Sequence, residues 1–224
     1  DAIAAVTKGL ALLATLPQSP ERTQHELTLQ LSLGGLLMAV HGMAFPEAGD
    51  AYTRAHVLCQ QLGETPQRFQ VLQGLYLFHE AQAQLHTAGE LAQQLTHLAQ
   101  RQPEVCLGLE GQSAMGSVAR YRGDLMAARV HLEHCLSLGA TPQPAAPTFR
   151  GGHHLGVKNL RLLAQVLWGL GYADQAEQRS AEALALAEQI GHPPSLAHAQ
   201  LFAAVLSQCR RDAAATYARA DALM

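Results

Sequence analysis

The chain has 224 residues, of which 48% are apolar, and a formal net charge of -3. Its charged side chains are interspersed without a basic stripe, so nothing in the sequence attracts a phosphate backbone. Aromatic residues make up only 5% of the chain, and β-branched residues are sparse beside Ala, Leu, Gln and Glu, which favours helix over strand. We therefore predict an all-α protein and expect no nucleic-acid binding by this segment.

The four cysteines are predicted to be reduced and mostly buried. They are Cys59, Cys106, Cys135 and Cys209, too far apart to form a CxxC pair, so neither a zinc ribbon nor a thioredoxin-like motif is present. The sequence also lacks an apolar run long enough to cross a bilayer and the zones of a signal peptide. We predict a cytoplasmic location. Because the sequence opens at Asp1 inside an apolar helical pattern, we expect a fragment of a larger multidomain protein.

In chain order, the pattern predicts paired helices. The segment 1–16 is predicted to be the second helix of a truncated pair. Ser19 caps a new helix, with Pro20 in its first turn, that runs to about His41. After a turn at 42–46, its partner helix stops at Gly63, and the sequence Thr65-Pro66 predicts the same cap-plus-proline start for the next helix.

The second half of the chain continues the pattern. Helices are predicted at 66–84 and 87–101, the latter opening on a Thr87-x-x-Glu90 capping box. Another pair spans 103–139, with its turn at 122–124. The segment 139–152 holds too many prolines and glycines for a helix and is predicted to be an irregular loop. A helical hairpin at 160–193 and a shorter pair at 194–224 end the chain.

A small residue recurs early in the second helix of each pair, where two helices that cross closely need a small side chain. These residues are Ala4, Ala48, Ala88, Ala128, Ala176 and Ala213. Seven residues after each, on the same helical face, lie Ala11, Ala55, Leu95, Cys135, Ala183 and Ala220, all of them apolar. The repeat period is therefore about 40 residues, which is typical of stacked helix pairs.

Helix pairs with a small crossing residue and a glycine turn, as in GLGYADQA and YRGDLMAA, resemble the tetratricopeptide repeat (TPR). The segments ERTQHELTLQLSLGGLLMAVHGMAFPEAGDAYTRAHVLCQQLG and GYADQAEQRSAEALALAEQIGHPPSLAHAQLFAAVL are more specifically similar to the C-terminal repeat regions of bacterial STAND-type ATPases, often fused to a cyclase-like or winged-helix domain. The sequence departs from the repeat at Ala83, which replaces the turn glycine, and at Gln208, where the last repeat also lacks one.

This resemblance implies one repeat domain over residues 1–224, an all-α right-handed superhelix of about five repeats and about eleven helices. It also implies a sensor or protein-interaction role that regulates an attached signalling ATPase or cyclase. The sequence contains no GxxxxGK[ST], HExxH or GxSxG motif. We therefore expect no catalytic residue and no cofactor in this segment.

Two histidine groups are candidate metal ligands. His131, His134 and Cys135 have helical spacing, but Cys135 lies on the predicted buried stripe, so a core thiol beside surface histidines is the better interpretation. His153 and His154 are adjacent in a glycine-rich segment and cannot readily chelate from one helical face. We therefore predict no metal site.

A stack of helix pairs creates a concave face, lined by first-helix residues that point away from their partner helix. The predicted groove residues are Gln70, Gln73, Glu80, Glu110, Ser117, Arg120, Tyr121, Lys158, Arg161, Gln165, Trp168, His198 and Phe202. Arg and aromatic residues among them are typical of binding hot spots. Burial of Trp168 between helices is the alternative for that residue.

The ligand class stays open at this point. An open groove would favour a protein or peptide partner, and a pocket closed on several sides would favour a small effector. The sequence does not indicate the oligomeric state.

Overall fold

The computed structural model describes residues 2–101, 105–139, 149–150 and 153–222. Within these ranges the chain forms eleven α-helices and one two-residue antiparallel ladder. The predicted all-α class is confirmed. Backbone contacts divide the chain into two compact units, Asp1–Arg101 (unit 1) and Gln102–Met224 (unit 2). No helix in the described ranges has the length and apolar character needed to span a bilayer.

Unit 1 contains five helices, each packed against its neighbour in sequence. They are α1 (Ala2–Ala14), α2 (Pro20–His41), α3 (Pro46–Leu62), α4 (Arg68–Ala81) and α5 (Leu85–Ala99). The start of α2 is the one predicted: the backbone N–H of Arg22 donates to Ser19 Oγ at 3.1 Å, and Pro20 occupies the first turn.

Unit 2 contains six helices, α6 (Val105–Tyr121), α7 (Leu125–Gly139), α8 (Leu155–Gly169), α9 (Ala173–Ile190), α10 (Pro193–Cys209) and α11 (Ala213–Asp221). Strands β1 (Phe149–Arg150) and β2 (His153–His154) pair just before α8. The predicted irregular loop 139–152 therefore contains part of a short ladder, while its residues 140–148 and 151–152 lie outside the described ranges.

The predicted crossing residues divide into two groups. Ala48, Ala88, Ala128 and Ala176 are all 0% exposed, as expected where a partner helix packs directly on the backbone. Ala4 and Ala213 are exposed instead. The prediction is wrong for these two, because α1 and α11 contain no buried residue at all.

Four of the turns between paired helices share one geometry. The turn residues are Ala83, Gly123, Gly171 and Arg211, and all have positive φ, from 57° at Ala83 to 89° at Gly171. In each turn the next backbone N–H donates to the carbonyl five residues earlier, for example Gln84 to His79 and Asp212 to Ser207. In the last repeat, Arg211 therefore occupies the turn position, and Gln208, where the glycine was predicted to be missing, does not.

Two predicted helix starts are wrong. Helix α5 begins at Leu85, so Thr87 lies inside the first turn and does not cap it. The turn at Ala83 connects α4 directly to α5, which leaves no room for a later start. Helix α4 begins at Arg68 rather than Pro66, and the Thr65 hydroxyl contacts the Cys59 thiol at 3.4 Å instead of capping the helix.

Candidate functional site

Helix α8 is central to unit 2, since it packs against α6, α7, α9 and α10. Nine of its fifteen residues are buried. The core around it combines α7, α8, α9 and α10 through Ala128, Leu132, Leu162, Leu163, Val166, Leu167, Ala176 and Leu206. Packing on several sides therefore holds the backbone of α8. Polar side chains of α8 that lie outside this core extend from that fixed backbone.

Arg161 is a predicted groove residue that contacts a second helix. It lies on α8, is only 8% exposed, and its Cζ lies 4.0 Å from the centroid of the Phe202 ring on α10. This is the geometry of a cation–π contact. The His198 ring meets the same Phe202 ring edge-on, at 5.2 Å between centroids. The structure thus brings three predicted residues from two helices into one stack.

A small cavity of about 10 Å³ lies beside this stack, lined by Arg161, Gln165 and Phe202, by Ala164 and Leu206, and by small residues of α9 and α10. That volume corresponds to about one water molecule. The Oε1 atom of Gln165 is buried and has no hydrogen-bond partner within the described part of the chain. This cavity volume is far below the several hundred Å³ of a typical small-molecule site. We call Lys158, Arg161, Gln165, His198 and Phe202 the Arg161 face.

Two of the four groove residues predicted on α6 are not accessible in this structure. Glu110 and Ser117 are 6% and 2% exposed. Their neighbour Ser113 donates its hydroxyl to Asn159 Oδ1 of α8 at 2.6 Å, and both of these residues are buried too. The polar face of α6 therefore packs against α8 at Ser113.

Farther along α6, the side chains reach the surface. Arg120 stacks on Tyr121, with Cζ 4.1 Å from the ring centroid, and Tyr121 is 52% exposed. Trp168 is half-buried, and its ring packs against the core around α8.

The predicted residues of unit 1 are three polar side chains on α4. Gln70 is exposed and Gln73 is half-buried. Glu80 is half-buried, and its carboxylate accepts a hydrogen bond from the Tyr76 hydroxyl. This contact holds Glu80 against its own helix.

On α7, Cys135 lies in the core, as predicted for its thiol. Burial raises the pKa of Cys135 to about 12, against a smaller opposing effect of the Lys158 ammonium, and its thiol donates to the Leu109 carbonyl. His131 Nδ1 lies 2.8 Å from Gln112 Oε1. Within the described ranges, no group of three or more His, Cys, Asp or Glu side chains is placed to bind a metal ion.

One polar cluster was missed by the sequence analysis. The Ser195 hydroxyl, which is 0% exposed, accepts a 2.9 Å hydrogen bond from the backbone N–H of His154 and lies 2.9 Å from His192 Nδ1. It attaches the end of β2 to the first turn of α10. Residues 154 and 195 are far apart in sequence, and no local motif connects them.

Comparisons with known proteins address the fold. No protein-family model matches the sequence, and no curated protein matches it. The structure is similar to that of a Podosopora anserina kinesin light chain with nearly identical TPR-like repeats (TM-score 0.61, 17% identity, 92% of this chain and 95% of that one). It is also similar to a thermophilic TPR protein of Thermus thermophilus (TM-score 0.55, 19% identity, 88% of this chain and 98% of that one). The chain therefore has a TPR-like fold.

Proposed function

We propose that this chain is a protein-interaction module that binds a peptide segment at the Arg161 face. The observation that carries the proposal is the Arg161–Phe202 stack, in which a nearly buried guanidinium is held on an aromatic ring. Half-exposed Lys158, Gln165 and His198 surround it. A fixed cation beside an aromatic ring is typical of binding hot spots, because little side-chain entropy remains to be lost on binding.

The partner is expected to be acidic. Helix α8 carries two cations and no carboxylate, and α10 carries no charged residue between Pro193 and Cys209. A segment with Asp or Glu next to an apolar side chain would complement both the charge and the ring. The water-sized cavity favours such a segment over a small effector, which would need a pocket of several hundred Å³.

A display library of random peptides, panned against the full chain, tests this function. We expect acidic peptides with an apolar residue to be enriched, and their affinity to fall at least tenfold in Arg161→Gln and in His198→Ala. Arg129→Gln is the matched control, because Arg129 also stacks on an aromatic ring, that of Tyr172, with Cζ at 5.1 Å. Enrichment of basic peptides, or equal losses in Arg129→Gln, would contradict the proposal.

We also propose that this module regulates an attached signalling ATPase or cyclase-like domain in the cytoplasm. The similarity of the segments at 21–63 and 171–206 to repeat regions of STAND-type ATPases supports this. Since each repeat contacts its neighbours, a bound segment could be coupled to an adjoining domain. Sequencing the gene on both sides of this region tests the idea: a P-loop motif would support it, and an adjoining domain without a nucleotide-binding motif would oppose it.

A further inference from the structure

Ser195 joins strand β2 to helix α10. Its hydroxyl, which is 0% exposed, accepts a 2.9 Å hydrogen bond from the backbone N–H of His154 and lies 2.9 Å from His192 Nδ1. His154 directly precedes α8, and Ser195 lies in the first turn of α10. We call His154, His192 and Ser195 the β2–α10 clasp. Through it, one oxygen atom connects the start of α8 with the start of α10.

The clasp lies at one end of the Arg161 face. Seven residues after His154, Arg161 of α8 stacks on Phe202, which lies seven residues after Ser195 on α10. Seven residues make about two helical turns, so the clasp and the stack are two contacts in the same register between parallel helices. The two contacts together therefore set the spacing of α8 and α10 at the Arg161 face.

The Ser195 hydroxyl can accept from His154 and donate to His192 only while His192 Nδ1 carries no proton. A serine hydroxyl has one proton to donate, and a neutral imidazole has one nitrogen that can accept it. Both nitrogens of a protonated imidazole are donors instead. The hydroxyl proton then loses this acceptor inside a buried site, where an unsatisfied polar group is unfavourable. Acid therefore opposes the hydrogen-bond pattern of the clasp.

The two histidine rings of the clasp also act on one another. Burial lowers the pKa of His154, and the neighbouring His192 lowers it further. A Cβ atom at Gly156 would lie 3.2 Å from His154 Cε1, so the His154 ring lies against the first turn of α8. Two imidazolium charges at this site would repel each other across the same hydroxyl.

The other charged groups on the elements around the clasp do not offset this repulsion. On β1, the residue that pairs with the clasp is the uncharged Phe149. Lys158 of α8 and His198 of α10, about one turn farther along their helices, can only add positive charge. Glu188 of α9 is exposed, where solvent weakens its attraction for a cation. His192 lies between the end of α9 and the start of α10, so the two helix dipoles act on its charge in opposite directions.

We propose that the β2–α10 clasp is an acid-sensitive switch that controls binding at the Arg161 face. With both rings neutral, Ser195 holds β2 on α10 and keeps the Arg161–Phe202 stack in register. Protonation of His154 and His192 releases β2 and separates α8 from α10 at this end. Histidine is the side chain that ordinarily changes its charge between about pH 5 and 8. The control of binding rests on the proposed function, whereas the release of β2 does not.

Amide hydrogen exchange, measured residue by residue by NMR, tests the clasp without any ligand. The protection factor of the His154 N–H is expected to fall at least tenfold from about pH 7.5 to about pH 5.5. The backbone N–H of Tyr172, which donates to the Leu167 carbonyl, is the internal reference and should keep its protection. Equal protection of His154 at both pH values, or an equal loss at Tyr172, would overturn the proposal.

His192→Asn is expected to keep the clasp closed in acid. An amide oxygen can accept the Ser195 proton and carries no charge, and asparagine is a favoured residue at the N-cap position that His192 occupies. The His154 N–H of this variant should lose protection at most about twofold over the same pH range. His134→Asn is the matched control, because His134 also lowers the pKa of a partly buried histidine, His131. Equal behaviour of the two variants would overturn the role of His192.

An acidic peptide selected from the display library at about pH 7.5 tests the control of binding. His192→Asn and the unmodified chain should bind it equally at that pH, and His192→Asn should bind it at least fivefold more tightly at about pH 5.5. Comparing the two chains at one pH cancels the protonation of His198, which both retain. Equal affinities in acid would overturn the control of the Arg161 face by the clasp. If no acidic peptide binds at neutral pH, the proposed function fails and the control of binding fails with it, whereas hydrogen exchange still decides the clasp.

Discussion

The Tyr52 ring lies so close to Gly74 that a Cβ atom at Gly74 would overlap its Cε1. On the ring's other edge, a Cβ atom at Gly34 would lie 2.6 Å from Cε2. Tyr52 of α3 is therefore held between glycines of α2 and α4 and is only 8% exposed. Three successive helices of unit 1 meet at this one ring, and the burial raises the pKa of the Tyr52 phenol.

Substituting Gly74→Ala is expected to lower the free energy of unfolding of unit 1 by about 1–3 kcal/mol, the usual cost of overpacking. This loss should occur although alanine favours helix over glycine by about 1 kcal/mol. Urea unfolding followed by circular dichroism measures the change.

Gly35 supplies the control for Gly74 within the same packing site. A Cβ atom at Gly35 would meet only the Tyr52 hydroxyl, at 3.8 Å. Gly35→Ala should therefore be neutral or stabilise the unit by up to about 1 kcal/mol. Equal destabilisation by Gly35→Ala and Gly74→Ala would show that the ring is not held between the two helices.

The two turns without glycine are expected to carry removable strain. Ala83 and Arg211 have φ of 57° and 59°, a region that costs a residue with a side chain roughly 1–2 kcal/mol. Because glycine also loses more entropy on folding, Ala83→Gly and Arg211→Gly should each stabilise the chain by about 0.5–1 kcal/mol. Thermal and urea unfolding of the single variants check this.

The reverse substitution is the matched comparison for these turns. Gly171→Ala, at a φ of 89°, should destabilise the chain by about 1 kcal/mol or more. A stabilising Gly171→Ala, or a destabilising Arg211→Gly, would mean that the four turns do not share one geometry.

The repeat could be predicted from the sequence because its spacing is local. Ala48, Ala88, Ala128 and Ala176 are fully buried because the helical period alone places them on the packed side. Burial of polar groups could not be predicted in the same way. Ser113 and Asn159 are far apart in sequence, and periodicity shows which side of α6 is polar but not how closely α8 approaches it. Periodicity therefore could not show that the predicted site residues Glu110 and Ser117 are buried, or that Arg161 and Phe202 are in contact.

The Ser113–Asn159 hydrogen bond is expected to couple α6 to α8. Ser113→Ala leaves the buried Asn159 without this donor and should cost about 1–3 kcal/mol. Asn159→Ala should cost a similar amount. The loss of unfolding free energy in the double variant should be about 1 kcal/mol smaller than the sum of the two single losses. The second substitution removes a group that has already lost its hydrogen-bond partner. A double-mutant cycle measured by urea unfolding would show no coupling if the two side chains did not interact.

Partly buried histidines are expected to make the chain less stable in mild acid. Burial lowers the pKa of His56, His131 and His154 below 6.5, with smaller contributions from Arg68, His134 and His192 respectively. Between the lowered pKa and 6.5 the unfolded chain binds more protons than the folded one, so the free energy of unfolding rises with pH there. The stability that these neutral histidines contribute is fully present above their pKa in the unfolded chain. It is lost as the pH falls from that value through their lower pKa in the folded chain.

His131 allows a test of this pH dependence on one residue. His131→Gln removes a titrating group while retaining a donor for the Gln112 side chain. Urea unfolding at a series of pH values between 7 and 5 should then show a shallower loss of stability in the variant than in the unmodified chain. His97, which is exposed, is the control, and His97→Gln should leave the slope unchanged. If His131→Gln and His97→Gln had the same effect, burial of the His131 ring would not be the cause of the pH dependence.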